Sequence, residues 1–218
     1  MNDIILALYE TLTSCAPAAL AAALLSRKYN RRPKATMACT AALFIVYIAA
    51  VLHITGAGTL FDAIRRGFPQ FDQCNLVPLV NGAQPLPCLL NIVLFIPLGY
   101  AIGRAGMRYA RMRQAPVVFA KTTAWGFALS LAIETSQLLN NRVFDVDDLV
   151  MNTLGTFAGC ALVIALRQTE GDRHTGDDAN TPISFNAQCA IAIVAGAGLI
   201  GRFLLFDELG VASVLYGF

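Results

Sequence analysis

Polar side chains recur at helical spacing inside segments of this chain that are otherwise apolar enough to meet lipid. Ser130, Glu134, Gln137 and Asn141 follow i, i+4, i+7, i+11. At 100° per residue they fall within about 60° of one another, so they form one stripe on a helix. Asp145, Asp148, Asn152, Gly155 and Gly159 occupy an arc of about 80° by the same arithmetic. A side chain that carries charge is costly in hydrocarbon unless it faces protein or water, so such stripes point to a site. The connection between them, Asn-Arg-Val-Phe-Asp-Val-Asp, is short enough to require antiparallel neighbours. Both stripes deepen from the same surface and are expected to face each other across a polar cleft.

Several chemistries are open to such a cleft. Arg142 has a planar fork that suits phosphate or carboxylate, and it is the cation nearest in sequence to the deep Glu134. The carboxylates of Glu134, Asp145 and Asp148 could hold Mg²⁺ beside a phosphate, or act as general acid and base. Asp145, Asp147 and Asp148 also have a plainer use, capping the free N–H groups at the start of a helix. Motifs for a nucleophile or phosphate loop are absent: the sequence has no GxSxG, no HExxH and no P-loop. His53 and His174 lie in different segments, so no His-based metal site is expected, nor any cofactor. Asn91 should lie at a depth similar to Glu134 and join the cleft or act as interhelical glue. Asn75-Leu76-Val77-Pro78-Leu79 reads as an extended, turn-like segment at the same surface. Gly155 and Gly159 form a GxxxG that lets two helices approach closely.

The elements that must hold these residues follow from composition. Of 218 residues, 56% are hydrophobic and only 14% charged, against roughly 25% charged in a soluble domain. Positions 35–61, 73–103, 149–166 and 179–201 carry no Asp, Glu, Lys or Arg. Runs of this length cross a hydrocarbon core of about 30 Å, which excludes a soluble enzyme. The expected fold is all-α: a polytopic transmembrane helical bundle of about six helices, near 4–25, 35–56, 84–103, 116–139, 148–166 and 184–206. Pro97 should kink the third. Asp3 and Glu10 sit where a signal peptide needs positive charge, so the first span is expected to be retained.

Basic residues set the orientation. Arg27, Lys28, Arg31, Arg32 and Lys34 fill the first loop; Arg104, Arg108, Arg111 and Arg113 fill the third. Both loops should be cytoplasmic, leaving both termini outside. Residues 1–34 then comprise a first span and basic loop, and 35–167 a four-helix core. Residues 168–183 read as a polar cytoplasmic linker, and 184–218 as a last span and tail. Phe61, Phe68 and Phe71 alternate with Asp62, Arg65, Arg66 and Asp72, which suits either an interfacial segment or a plain amphipathic linker. Cys74 and Cys88 both fall at the outer surface, where a disulfide is conceivable. Arg202 in the last span either snorkels outward or pairs with Glu10.

The ordered set of motifs resembles the VanZ-like family of bacterial membrane proteins. That family has an outer Asn-Leu-Ile-Pro-type segment and an Asn-xxx-Phe-x-Pro-x-Gly helix. A Glu-xx-Gln helix end and an Arg-x-Phe-Asp-x-x-Asp-xxx-Asn-xx-Gly run follow. Here these are Asn75–Leu79, Asn91 through Gly99, Glu134 with Gln137, and Arg142, Phe144, Asp145, Asp148, Asn152 and Gly155. The resemblance covers about residues 35–167, with Val77 a conservative change. It implies a protein of the bacterial cytoplasmic membrane, linked through the family's namesake to lowered susceptibility to teicoplanin, an acylated glycopeptide.

Taken with the stripes, this makes a non-enzymatic binding protein the leading expectation. Its outward cleft, of Asn75, Asn91, Ser130, Glu134, Gln137, Arg142, Asp145, Asp148 and Asn152, would engage a lipid-linked or acylated ligand. Such ligands include a lipid-linked cell-wall precursor or a lipoglycopeptide, with membrane lipids as further partners and no nucleic acid. The alternative is an intramembrane enzyme acting on an envelope lipid through Glu134, Asp145 and Asp148. A transporter is disfavoured by the absence of an inverted repeat.

Overall fold

Apolar runs leave the backbone no outside partner in hydrocarbon, so each run must close its hydrogen bonds internally as a helix. A computed structural model of the chain describes residues 2–28, 35–66, 74–78, 85–108, 110–170 and 185–216. Its long helices are α1 (Asn2–Lys28), α2 (Ala35–Thr55), α4 (Pro85–Met107), α5 (Ala115–Gln137), α6 (Val146–Glu170) and α7 (Phe185–Leu205). All six are long and apolar enough to cross a membrane, and the chain is an all-α polytopic membrane protein. Shorter elements are α3 (Leu60–Arg66), α8 (Glu208–Tyr216) and two-residue strands β1 (Cys74–Asn75) and β2 (Phe144–Asp145), which pair. Phe68, Phe71, Asp72, Arg31, Arg32, Lys34, Leu79, His174 and nearly all of the 168–183 linker lie outside the described residues. Cys74 and Cys88 are free thiols, so no disulfide joins them.

Two compact units emerge. One comprises Met1–Cys74, Ile133–Phe144 and Ile193–Phe218; the other comprises Asn75–Ala132 and Asp145–Ala192.

In the first unit, Ala18, Ile45 and Val194 form a buried cluster flanked by Cys15, Ala21, Ala22, Leu25 and Phe44. Pro17 lies inside α1 and cannot donate to the carbonyl of Thr13. Gly201 of α7 fits directly over that place: a Cβ there would stand 2.5 Å from the Thr13 oxygen and 2.4 Å from Pro17 Cγ. The alternative for Arg202 is decided by geometry. Its Nη2 donates to Glu10 Oε1 at 2.9 Å and its Nε to the same oxygen at 3.2 Å. The guanidinium also lies 5.0 Å from the Phe206 ring centre. The second oxygen of Glu10 meets His53 Nδ1 at 2.7 Å, tying α2 to α1. Next to this knot, Tyr9 donates to the Leu205 carbonyl, and Asp207 caps α8 by accepting from the Gly210 N–H at 2.9 Å while receiving Arg65 at 2.8 Å. The sequence reading treats residues beyond 206 as tail. A helix forms instead, because Asp207 and Glu208 supply an acidic N-terminus to an apolar segment.

In the second unit, α4 and α6 approach at backbone distance. A Cβ on Gly155 would stand 2.2 Å from the Ile92 oxygen, and one on Gly159 2.1 Å from the Ile96 oxygen. Reciprocally, Gly99 lies against the Thr156 carbonyl and Gly103 against Cys160. The GxxxG of α6 therefore seats on the third span, not on the fourth, where its register with the polar stripe had put it. The fourth span, α5, meets α6 through Gly126, whose Cβ would collide with the Thr156 side chain, and through an edge-to-face Phe119–Phe157 pair at 4.4 Å. Gln188 of α7, fully buried, donates to Thr122 Oγ1 at 2.9 Å and to the Val118 carbonyl at 3.2 Å. Pro97 is accommodated within α4, which runs on to Met107.

These contacts generate two expectations. Gly159→Val should overpack the α4–α6 seam and cost about 1–3 kcal/mol, read as a lowered melting midpoint in detergent, whereas Gly196→Val, with open space around its Cα, should leave the midpoint nearly unchanged. Arg202→Ala should destabilise the protein more than Arg202→Ala with Glu10→Ala, because the single change leaves a carboxylate largely shielded from water with only the exposed His53 as its partner. A double-mutant cycle should yield a coupling of about 0.5–3 kcal/mol; strictly additive losses would refute the pairing.

Candidate functional site

The two sequence stripes map onto α5 and α6, and each unit organises its own share of them. Helix α5 ends at Gln137, passes through a 3₁₀ turn at Leu138–Asn140, and reverses at Asn141, which takes a left-handed conformation with φ 61°. Asn is one of the few non-glycine residues that tolerates this region. Asn141 therefore leaves the helical stripe and is exposed, while Ser130, Glu134 and Gln137 remain on α5 and are buried, at 0%, 1% and 4% exposure.

In the first unit the end of α5 grips the end of α2. Gln137 Nε2 and Arg142 Nη1 both donate to the Thr55 carbonyl, each at 2.6 Å. Asn140 Nδ2 donates to the Gly56 carbonyl at 2.9 Å, and Ser136 Oγ accepts from the Gly58 N–H at 3.1 Å. The last carbonyls of a helix have no partner of their own and carry the negative end of its dipole, so amide and guanidinium donors are well suited there. Gly56, at φ 64°, ends α2, and a Cβ on it would strike Arg142 Nη1 at 2.1 Å. Sequence reasoning places Gln137 and Arg142 in a ligand cleft and offers Glu134 as Arg142's partner. The structure gives both residues a backbone acceptor on α2. The signal that could have found it is the Thr-Gly-Ala-Gly run at 55–58, a helix stop with glycine in the left-handed position. Arg142 is otherwise exposed, and among the described residues Thr55 is its only side-chain hydrogen-bond partner.

The second unit assembles the remaining residues around the head of α6. Asp145, on β2, accepts from the Asp147 N–H at 2.9 Å and so caps the helix. The same oxygen accepts from Asn75 Nδ2 at 3.2 Å. One turn further, Asp148 accepts from Asn91 Nδ2, which links α6 to α4. One turn beyond that, Asn152 Nδ2 donates to Ser130 Oγ of α5 at 3.0 Å. Asn91 thus acts both as interhelical glue and as a neighbour of the carboxylates. Asp145, Asp148, Asn75 and Asn91 are half-buried, whereas Asn152 is 1% exposed. From Asp145 to Asn152 the row descends about 10 Å at 1.5 Å per residue. At its foot, Asn152 Oδ1 is buried and accepts no hydrogen bond among the described residues. A buried amide oxygen without a donor costs about 1–3 kcal/mol, which a donor entering the site would relieve. Among the described residues no group of three His, Cys, Asp or Glu side chains is placed to hold a metal ion.

No curated protein and no solved structure matches the chain. Among protein families, VanZ/LLP1 matches residues 20–167. That span runs from the middle of α1 to the last turns of α6, and so takes in both the grip on α2 and the row at the head of α6. With two thirds of its length matched in this way, the chain belongs to the VanZ/LLP1 family.

Proposed function

We propose that this protein is a non-enzymatic binding protein of the bacterial cytoplasmic membrane, with both termini and the head of α6 on the outer side. Its ligand is lipid-linked or acylated, a cell-wall precursor or a lipoglycopeptide, and its engagement lowers susceptibility to glycopeptides such as teicoplanin. The observation that carries this reading is the row Asn75–Asp145, Asn91–Asp148 and Ser130–Asn152, which ends on a buried acceptor lacking a donor. Such a row presents oxygens to a ligand rich in N–H and O–H groups, as sugars and peptides are. The apolar helices around it suit an acyl chain. In its own unit, Arg142 keeps guanidinium N–H groups beyond the one spent on Thr55 and supplies a contact for an anionic group.

The test must separate binding from folding. Asp145→Ser keeps a side-chain oxygen that can cap α6 but removes the charge. Arg142→Ala leaves the Thr55 carbonyl its bond from Gln137, so the loss in stability should stay near 1 kcal/mol. Produced in a teicoplanin-sensitive bacterium, the wild-type chain should raise the teicoplanin concentration needed to stop growth and should co-purify with lipid-linked material. Both variants should lower both readouts towards the empty-vector level while accumulating normally in the membrane. If both variants match the wild type in susceptibility and in bound lipid, the proposal fails.

A further inference from the structure

In the first unit, three polar groups of the α1–α7 seam are left with hydrogen-bonding capacity that the seam itself does not use. The two helices run antiparallel there, since Glu10 meets Arg202, Thr13 lies against Gly201, and Ser14 against Gly198. Arg202 spends Nε and Nη2 on Glu10 Oε1, but its Nη1 is buried and finds no acceptor among the described residues. Ser14 Oγ is buried and finds no partner among them either. Arg202 and Ser14 are only 6% and 2% exposed. The third group is the Thr13 carbonyl. Pro17 has no N–H to return to it, and Gly201, packed over it, offers only a Cα–H.

Register brings these groups to one level of the seam. Ser14 stands one turn beyond Glu10 on α1, and Gly198 one turn before Arg202 on α7. Side chains on a helix lean toward its N-terminus. In an antiparallel pair the Ser14 hydroxyl therefore leans towards the guanidinium, and the guanidinium towards Ser14. Gly198 sets no side chain between them: a Cβ there would stand 3.5 Å from the Ser14 carbonyl oxygen and 3.2 Å from Ile48 Cγ2, so the space left is about that of a methyl group. Ile48 and Ala18, both buried, close it from other sides. Arg202 has a donor to give, the Thr13 carbonyl a lone pair, and the hydroxyl can act either way. A molecule of this size that both donates and accepts completes all three. Proline is tolerated in membrane helices where hydroxyl side chains and ordered waters serve the freed carbonyl, and a buried water makes about three hydrogen bonds. We propose that a single water molecule is a built-in part of this seam, accepting from Arg202 Nη1, donating to the Thr13 carbonyl and bonded to Ser14 Oγ. It joins α1 to α7 one step inside the Glu10–Arg202–His53 knot and shares no residue with the polar row of the second unit.

Solid-state NMR of the isotope-labelled full chain in lipid bilayers reads this site through the rate at which magnetisation passes from water to each residue. Transfer to Ser14 should be several-fold faster than to Ala18 and Val194, which lie in the apolar cluster deeper in the same unit. Ser14→Ala should lower the melting midpoint in detergent, because it takes a partner from the water; in a dry seam the same change deletes an unpaired hydroxyl and leaves the midpoint unchanged or raises it. Gly198→Ala, which places a methyl group in the space, should slow transfer to Ser14 to the rate of Ala18. Transfer to Ser14 as slow as to Ala18 and Val194 in the wild-type protein overturns the inference whether or not the variants fold. A midpoint that Ser14→Ala leaves unchanged or raises overturns it as well.

Discussion

Hydrocarbon offers a polar group nothing to bond to, and the main arrangements of polar side chains among the described residues answer that constraint with specific partners. Where a helix ends within the bundle, its last carbonyls are met by donors brought from another helix: Gln137 and Arg142 both reach the Thr55 carbonyl. Where a carboxylate is largely shielded from water, as Glu10 is, both oxygens are engaged, one by Arg202 and the other by His53. Where carboxylates crown a helix, they are shared between its free N–H groups and asparagines of other elements. Glycine is the complement of this scheme. Gly155 and Gly159 let α6 come so close to the carbonyls of α4 that no side chain fits between them, and close packing is the main attraction available to helices in lipid.

The same constraint explains what could be read from the sequence. The six spans were legible because 18 or more apolar residues without charge have few other uses. The residues of the polar row were legible because Asp145, Asp148 and Asn152 recur at helical spacing in a segment that should have been apolar. Arg202 and Glu10 stood out by type for the same reason. The partners were less legible. A backbone carbonyl has no letter of its own, so nothing in the spelling of Gln137 or Arg142 says that both bind Thr55. The helical count also ran one step too far, because Asn141 is in register with Ser130, Glu134 and Gln137 while the helix stops at Gln137. A single residue in the left-handed region ends that register. The seating of the GxxxG failed for a related reason. Gly155 and Gly159 share an 80° arc with the polar row, but an arc that wide has two edges, and it is Asn91 of α4 that meets Asp148 and Ser130 of α5 that meets Asn152. Short elements such as α3 and α8 escape a span-based reading altogether, since they depend on caps at Thr59 and Asp207 rather than on apolar length.

The row at the head of α6 combines two uses that stability alone would not require together. Capping needs one acceptor near the first N–H groups, and Asp145 already provides it. Asp148 adds a second carboxylate and Asn152 a buried amide one turn deeper, and the amide oxygen is left without a donor. Buried polar groups of this kind tend to be neutral or unfavourable compared with apolar residues of the same shape. Alanine or leucine at Asn152 would remove the orphaned oxygen together with the hydrogen bond to Ser130 Oγ, and would still leave α5 and α6 joined through Gly126 and the Phe119–Phe157 pair. Packing alone therefore does not call for an amide there, and recognition of a polar ligand gives its buried oxygen a use. Asp145 differs from Asn152: part of its work is structural and would survive replacement by serine, whereas Asn152 lies two turns inside α6, beyond the helix's free N–H groups. A substitution series down the row should thus trade stability for recognition progressively with depth, with the structural share concentrated at the top turn and the binding share below it.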